Sequence, residues 1–284
     1  MLFPCVRALV ALMLLCFSPL ALSTKPVPAG STFQWQLDGD FDSGAQAQVY
    51  DLDLFDTPAS TIAAIKQRGV QAICYISVGT LENGRPDSAS FPAAAVGAIY
   101  PQWPDERWLD IRRIDLIGPA MQARLDLCRD KGFDGVEPDN VDAYQNTGTG
   151  FAISEADQIV YLRWLSEQAH ARGLSIGLKN VPDLAVRMEP LFDWALTEDC
   201  YVQGWCTQLA PFIANNKAVF VTEYSDTPVN FRDVCTVLNP ERFTPVYKHR
   251  GLDAFRRTCL EFKRRIRSRP LHGGVLPGGS KRPY

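Results

Sequence analysis

Eight short apolar runs, amphipathic segments between them, and polar residues gathered where those runs end predict an α/β fold, a single-domain (β/α)8 TIM-type barrel. The expected strands are 33–37, 49–54, 72–78, 135–139, 175–179, 194–198, 218–223 and 243–248. Helix-like segments follow at 58–68, 118–131, 154–172, 183–191, 209–216, 230–238 and 251–267. In 154–172 the apolar positions Ile159, Leu162, Leu165 and Ala169 recur at intervals of three and four, a helical stripe. Arg68-Gly69, Lys131-Gly132 and Arg172-Gly173 each read as a basic last turn closed by a left-handed glycine. An open doubly wound sheet is the alternative, but no Gly-x-Gly-x-x-Gly follows an early strand to support a dinucleotide fold. Two stretches are irregular. Residues 38–48 do not read as a helix, and neither does 79–107, a long segment rich in Pro, Ser, Asp and Trp. In a barrel that segment belongs over the C-terminal face, where βα loops build the pocket.

Residues 1–23 read as a secretory signal: Arg7, an apolar run from Ala8 to Phe17, then small residues suited to cleavage after Ser23. A membrane anchor would need about 20 apolar residues, and Ser18-Pro19 interrupt this run. A lipid attachment at Cys16 lacks the preceding small residues that processing prefers. The barrel domain is expected over 24–267, followed by a basic, Pro/Gly-rich tail at 268–284 with too little apolar content to fold alone. Six cysteines remain after the signal, and an even number in an exported chain points to disulfides. Cys200 with Cys206 is the first pairing expected, and Cys235 with Cys259 the second. Zinc is disfavoured by three scattered histidines and no Cys-x-x-Cys.

The charge is uneven. Residues 263–284 carry seven basic side chains and no acids, whereas 24–262 hold 21 basic against 32 acidic residues. An acidic body repels nucleic acid and favours a cationic ligand. A secreted, extracellular monomer without membrane insertion is expected.

Four carboxylates crowd the stretch Gly132-Phe133-Asp134-Gly135-Val136-Glu137-Pro138-Asp139-Asn140-Val141-Asp142. On a strand, residues two apart share a face, so Glu137 and Asp139 point the same way while Pro138 stiffens the exit. Such crowding is costly in a core unless the groups are paired, coordinated or protonated. Other polar residues end other runs: Asp51 and Asp53, Tyr75 and Ser77, Lys179 and Asn180, Glu198 and Asp199, Glu223 and Tyr224, and Lys248. A barrel brings these ends to one mouth. Converging carboxylates without a histidine cluster suggest glycoside hydrolysis, which needs two carboxyl groups across a sugar ring, one protonated and one ionised.

The segments Phe33-Gln34-Trp35-Gln36-Leu37, Cys74-Tyr75-Ile76-Ser77-Val78-Gly79, Trp103-Pro104-Asp105-Glu106-Arg107-Trp108-Leu109-Asp110, Gly135-Val136-Glu137-Pro138-Asp139-Asn140-Val141-Asp142 and Glu198-Asp199-Cys200 resemble glycoside hydrolase family 114, the endo-α-1,4-polygalactosaminidases, over about 33–259. Asp199 departs from that pattern, which has Gln or Glu before the cysteine. The resemblance implies a barrel glycosidase acting on an α-1,4-linked galactosamine polymer, with Asp139 as nucleophile and Glu198 as general acid/base. The reverse assignment and an inverting mechanism stay open at this point. Glu137 and Asn140 are expected to orient Asp139 or bind a sugar hydroxyl, and Asp51, Asp53 and Glu223 to contribute to substrate binding, the first two at its amine unless at least one of that pair is purely structural. Tyr75 and Tyr224 can stack on sugar faces while their hydroxyls bond outward, with a place in the core as the alternative for either. Trp103 and Trp108 either pack their loop or line the cleft, and Asp105, Glu106 and Arg107 read as locking that loop. A Schiff base at Lys179 needs a depressed amine pKa, which neighbouring carboxylates oppose, so Lys179 reads as a hydrogen-bonding or charge-balancing partner. No cofactor is expected. A hard cation held by Asp51, Asp53, Asp139 and Asn140 is chemically possible, but no spacing singles it out. A non-catalytic carbohydrate-binding barrel is the rival reading.

Overall fold

A computed structural model describes residues 24–261, so the expected signal segment, the tail and the end of the last expected helix lie outside the described residues. Eight parallel strands follow the eight apolar runs: β1 (Phe33–Gln36), β2 (Val49–Asp53), β3 (Gln71–Ser77), β7 (Gly135–Asp139), β8 (Ser175–Lys179), β9 (Trp194–Glu198), β10 (Val219–Tyr224) and β11 (Thr244–Lys248). They pair in that spatial order, and the two-residue strand β12 (Arg257–Thr258) adds to β11 antiparallel. The sheet curls so that β1 and β11 come side by side. Among the described residues no ladder joins those two. Thr244 Oγ1 donates to the Ser31 carbonyl there, and Arg256 Nη1 to that of Phe33.

The curled sheet separates two apolar layers. Inside lie Phe33, Trp35, Val49, Ile73, Trp194, Leu196, Phe220 and Val246, with the rings of Phe33 and Phe220 stacked at 4.0 Å. Outside, the opposite strand faces pack against α1 (Ala59–Gln67), α2 (Ile114–Lys131), α3 (Glu155–His170), α4 (Ala185–Met188), α5 (Ala210–Ala214) and α6 (Phe231–Leu238). Burial on both faces is why the strands read as unbroken apolar runs. The expected caps are present, with Gly69, Gly132 and Gly173 at φ of 74°, 94° and 73°. Ser154 and Asp157 close a reciprocal capping box at the start of α3. Helix α2 begins four residues before the expected start at Gly118, carrying Pro119 inside it. Gly118 faces the Trp164 indole, which leaves little space for a side chain.

Two expectations are corrected. Residues 251–258 are not helical: the chain there turns back into β12. The 79–107 segment is not simply a loop, because it holds an antiparallel sheet, β4 (Thr80–Glu82), β5 (Val96–Tyr100) and β6 (Trp103–Leu109), ordered β4-β6-β5. Leu109 N–H to the Gly79 carbonyl and Asp110 N–H to that of Ala95 hold the segment together. Arg124 of α2 anchors it from below, its buried guanidinium donating to Asp87 and to the Ser77 carbonyl.

Three disulfides form. Cys200–Cys206 and Cys235–Cys259 are the two expected pairs, and Cys74–Cys128 ties β3 to α2 across 54 residues of sequence. Replacing Cys74 and Cys128 together by Ala is expected to cost about 2–5 kcal/mol, since the unfolded chain regains the freedom of a long loop. A lowered midpoint of urea unfolding reads this.

Candidate active site

Strand parity decides which polar side chains reach the mouth. Asp139, Lys179 and Glu198 each occupy the last position of β7, β8 and β9, and the next residue of each strand leaves with a left-handed backbone: Asn140 at φ 61°, Asn180 at 49° and Asp199 at 52°. Asn and Asp tolerate that region better than other residues with a side chain, which suits them to ending a strand abruptly. The β7–β8 ladder closes at Val136↔Ile176, before Pro138, which has no N–H to extend it. Glycine fills two inward positions just below: a Cβ on Gly177 would lie 2.4 Å from the Trp194 ring, and one on Gly135 2.2 Å from Ser175 Oγ.

The Lys179 ammonium is the hub. Its Nζ lies 2.7 Å from Glu137 Oε1, 2.8 Å from Asp139 Oδ1 and 3.3 Å from Glu198 Oε2, with the Trp35 ring centre 4.7 Å away. Burial disfavours the charged amine, but the negative charges of Asp139, Glu137 and Glu198 outweigh it and hold the pKa well above the usual lysine value. The cation is therefore permanent, which removes the Schiff-base chemistry. Because two of these contacts meet at one nitrogen, Asp139 Oδ1 and Glu198 Oε2 are at most about 6.1 Å apart.

Each of the two carboxylates has its own tyrosine. Tyr75 donates to Asp139 Oδ2 at 3.0 Å, and Tyr224 donates to Glu198 Oε1. Burial, reinforced by the neighbouring carboxylate, raises both phenols well above their ordinary pKa, so both remain donors. Asn180 grips Glu198 twice, Nδ2 donating to Oε2 and Oδ1 accepting from the Glu198 N–H, both at 2.8 Å. Tyr224 is fully buried with the Arg250 guanidinium 4.1 Å over its ring, so it orients Glu198 instead of stacking on a sugar.

These groups open into a cleft of about 1220 Å³. Asp53, Tyr75, Asp139, Asn140, Lys179, Glu198 and Tyr224 line it, as expected for residues at the strand ends. Three other expected residues do not reach it. Asp51 and Glu137 are fully buried beneath Lys179. Glu223 has the parity of Val219 and Val221, which face the helices, and there its Oε1 accepts the Tyr201 N–H beside the Cys200–Cys206 disulfide. Asp53 lines the cleft already engaged, by Arg85 and by the N–H groups of Phe55 and Asp56. Asn140 turns to Ser77, Thr80 and Glu106. Asp53, Asp139 and Asn140 thus turn to different partners while Asp51 lies fully buried below them, so among the described residues these four do not gather around one point.

Sequence reasoning places the 79–107 segment over this face and allows Trp103 a place in the cleft, but it misses that the segment forms a sheet whose other side chains make a wall. Glu82, Arg85, Tyr100, Gln102, Trp103 and Glu106 all line the cleft. Trp103 is half exposed there, whereas Trp108 is buried against Tyr100. Glu106 Oε2 accepts from Thr80 Oγ1 at 2.5 Å and from Asn140 Nδ2 at 3.3 Å, locking the wall to the end of β7. Burial, opposed by the Thr80 hydroxyl and aided by Asp139, lifts its carboxyl to about 7. On the opposite bank, Arg250 pairs with Asp199 and Asp226. The lining holds nine carboxyl side chains against three cations, each cation already paired, so the cleft is strongly acidic.

An acid-lined cleft on the strand-end rim of a barrel, with two carboxylates of neighbouring strands brought to one cation, is the arrangement of a glycoside-cleaving enzyme. The chain belongs to glycoside-hydrolase family GH114, whose family model matches residues 18–263, and it is a glycosidase. It is similar to Aspergillus fumigatus Ega3, solved in complex with galactosamine, at 34% identity over 85% of this chain and 100% of that one, with a TM-score of 0.79. It also shares the fold of the glycoside hydrolase domain of PelA from Pseudomonas aeruginosa, at 16% identity, covering 81% of this chain and 98% of that one, with a TM-score of 0.60. No curated protein gives a significant match.

Lys179→Met leaves Glu137 as a buried charge without its partner. A loss of about 3–5 kcal/mol in urea unfolding is expected, together with loss of activity. Glu223 gives a pH signature. Burial raises its folded-state carboxyl to about 7, above the usual glutamate value, although the Tyr201 N–H pulls the other way. Between those two pH values the folded state holds the extra proton, so this group's contribution to stability falls as pH rises through about 4.5 to 7. The loss of stability from pH 5 to pH 8 should be smaller in Glu223→Gln than in the wild type.

Proposed function

We propose that this protein is a secreted, endo-acting hydrolase of α-1,4-linked, galactosamine-containing polysaccharide, working with retention of anomeric configuration. The observation that carries this reading is the bound on the carboxylate pair. Lys179 contacts one oxygen of each carboxylate, so those two oxygens lie at most about 6.1 Å apart, a closeness in keeping with the roughly 5–5.5 Å separation of retaining enzymes. Asp139 takes the nucleophile's role because the Lys179 ammonium at 2.8 Å and the Tyr75 hydroxyl at 3.0 Å hold its two oxygens in place at the end of β7. Glu198, farther from the cation and set by Tyr224 and Asn180, takes the acid/base role.

In the first step an Asp139 oxygen bonds to the anomeric carbon while Glu198 passes its proton to the departing glycosidic oxygen. In the second, ionised Glu198 takes a proton from water, whose oxygen displaces Asp139 and regenerates both groups. The acidic lining supports a substrate bearing ammonium groups, since such a cleft concentrates cations at its mouth. The similarity to Ega3, solved with galactosamine, supports the same sugar. An open cleft suits attack within a chain. Three disulfides support an oxidising destination outside the cell.

Release of reducing ends from polygalactosamine tests the proposal. Asp139→Asn and Glu198→Gln should each lower it by about a thousandfold or more while leaving unfolding midpoints near that of the wild type. Proton NMR of the first products should show the α-anomer. Early appearance of the β-anomer would replace retention with inversion, and binding without release by the wild type would make the protein a carbohydrate-binding barrel.

A further inference from the structure

Beneath the catalytic pair lie three oxygens that no donor reaches. Both carboxylate oxygens of Asp51 and Oε2 of Glu137 are sealed from solvent without an N–H or O–H directed at them. Neither side chain has any appreciable exposure. The Lys179 ammonium is used up on Glu137 Oε1, Asp139 and Glu198. Trp35, in register with Asp51 on β1, carries an indole N–H that is itself unpartnered, and Ile73, in register on β3, offers only hydrocarbon. Two ionised carboxylates side by side in such a place would be both desolvated and mutually repelled. One proton between them removes the repulsion and satisfies the stranded oxygens together.

We propose that Asp51 is a positioning residue for the glycosidase reaction: as a neutral acid it donates to Glu137 Oε2, which turns Glu137 Oε1 onto Lys179 and sets the cation between Asp139 and Glu198. This rests on the roles given above to Asp139 and Glu198. The charges facing the pair are Asp139 from β7 and Lys179 from β8, and both enter the balance. Burial, then the charge and hydrogen bond of Glu137, push the Asp51 carboxyl well above its ordinary range, with Lys179 opposing and Asp139 adding. With the proton in place, the buried pair carries one negative charge, and Lys179 still has attraction to spare for the two carboxylates above it. Without the proton, a second negative charge would draw the ammonium down, away from the reacting groups.

Asp51→Asn keeps the volume and offers Nδ2–H to the same Glu137 oxygen, whereas Asp51→Leu leaves that oxygen bare. The asparagine variant is expected to retain kcat on polygalactosamine to within about threefold, and the leucine variant to lose about tenfold or more with a smaller change in KM. The infrared difference spectrum of wild type minus Asp51→Asn at neutral pH should contain the carbonyl band of a protonated carboxylic acid. Absence of that band, equal loss of kcat in both variants, or full activity in both would overturn the proposal. Should Asp51→Leu fail to fold, the band and the asparagine variant still decide. The infrared measurement needs no turnover, so a wild type inert on polygalactosamine would refute the substrate reading without touching the buried proton.

Discussion

One buried ammonium organises this molecule. Lys179 sits at the end of β8 with carboxylates of β7 and β9 on three sides and an indole on the fourth, so three neighbouring strands are tied at a single nitrogen. Removing the ammonium would strand the buried Glu137 charge in a medium that cannot solvate it, whereas Asp139 and Glu198 border the cleft and keep their tyrosine partners. The same nitrogen bounds the spacing of Asp139 and Glu198. Catalytic geometry and local stability therefore have a common origin.

The backbone reinforces this arrangement. The strands that carry Asp139, Lys179 and Glu198 all end in a left-handed Asn or Asp. That turn takes the chain away at once, leaving the functional side chain as the last inward-facing position. Two of the turn residues then act with their own side chains: Asn180 holds Glu198, and Asn140 reaches the inserted sheet through Glu106. Residues needed for local conformation thus also supply hydrogen bonds to the site.

The eight strands were legible because a strand covered on both faces must be apolar throughout, and the ends where polarity returns locate the mouth. That same continuity hid which face each residue takes. Glu223 ends an apolar run and so reads as a mouth residue, yet its parity sends it to the helical layer, and the uniformly buried 219–224 shows no alternation that marks the difference. Asp51 and Asp53 share a face, but one lies deep in the barrel and the other at its rim, a difference of depth that sequence spacing does not encode. The β4–β6 sheet went unread because its strands are short, largely exposed and charged, as in Trp103–Leu109, so neither a two-residue nor a helical rhythm stands out. Pairing Asn140 with Glu106 required knowing that this sheet folds over the end of β7.

The inserted sheet divides the cleft by origin. Its floor is made of the barrel strand ends that carry Asp139 and Glu198, while one bank is an excursion between β3 and α2, tied to the floor by a polar seam of Ser77, Thr80, Asn140 and Glu106 and by Arg85 on Asp53. Such a division makes the enzyme modular. The hairpin at Tyr100–Trp103 sets the aromatic surface of that bank, so changes confined to it would alter the grip on a sugar chain while leaving the Lys179 cluster as it is.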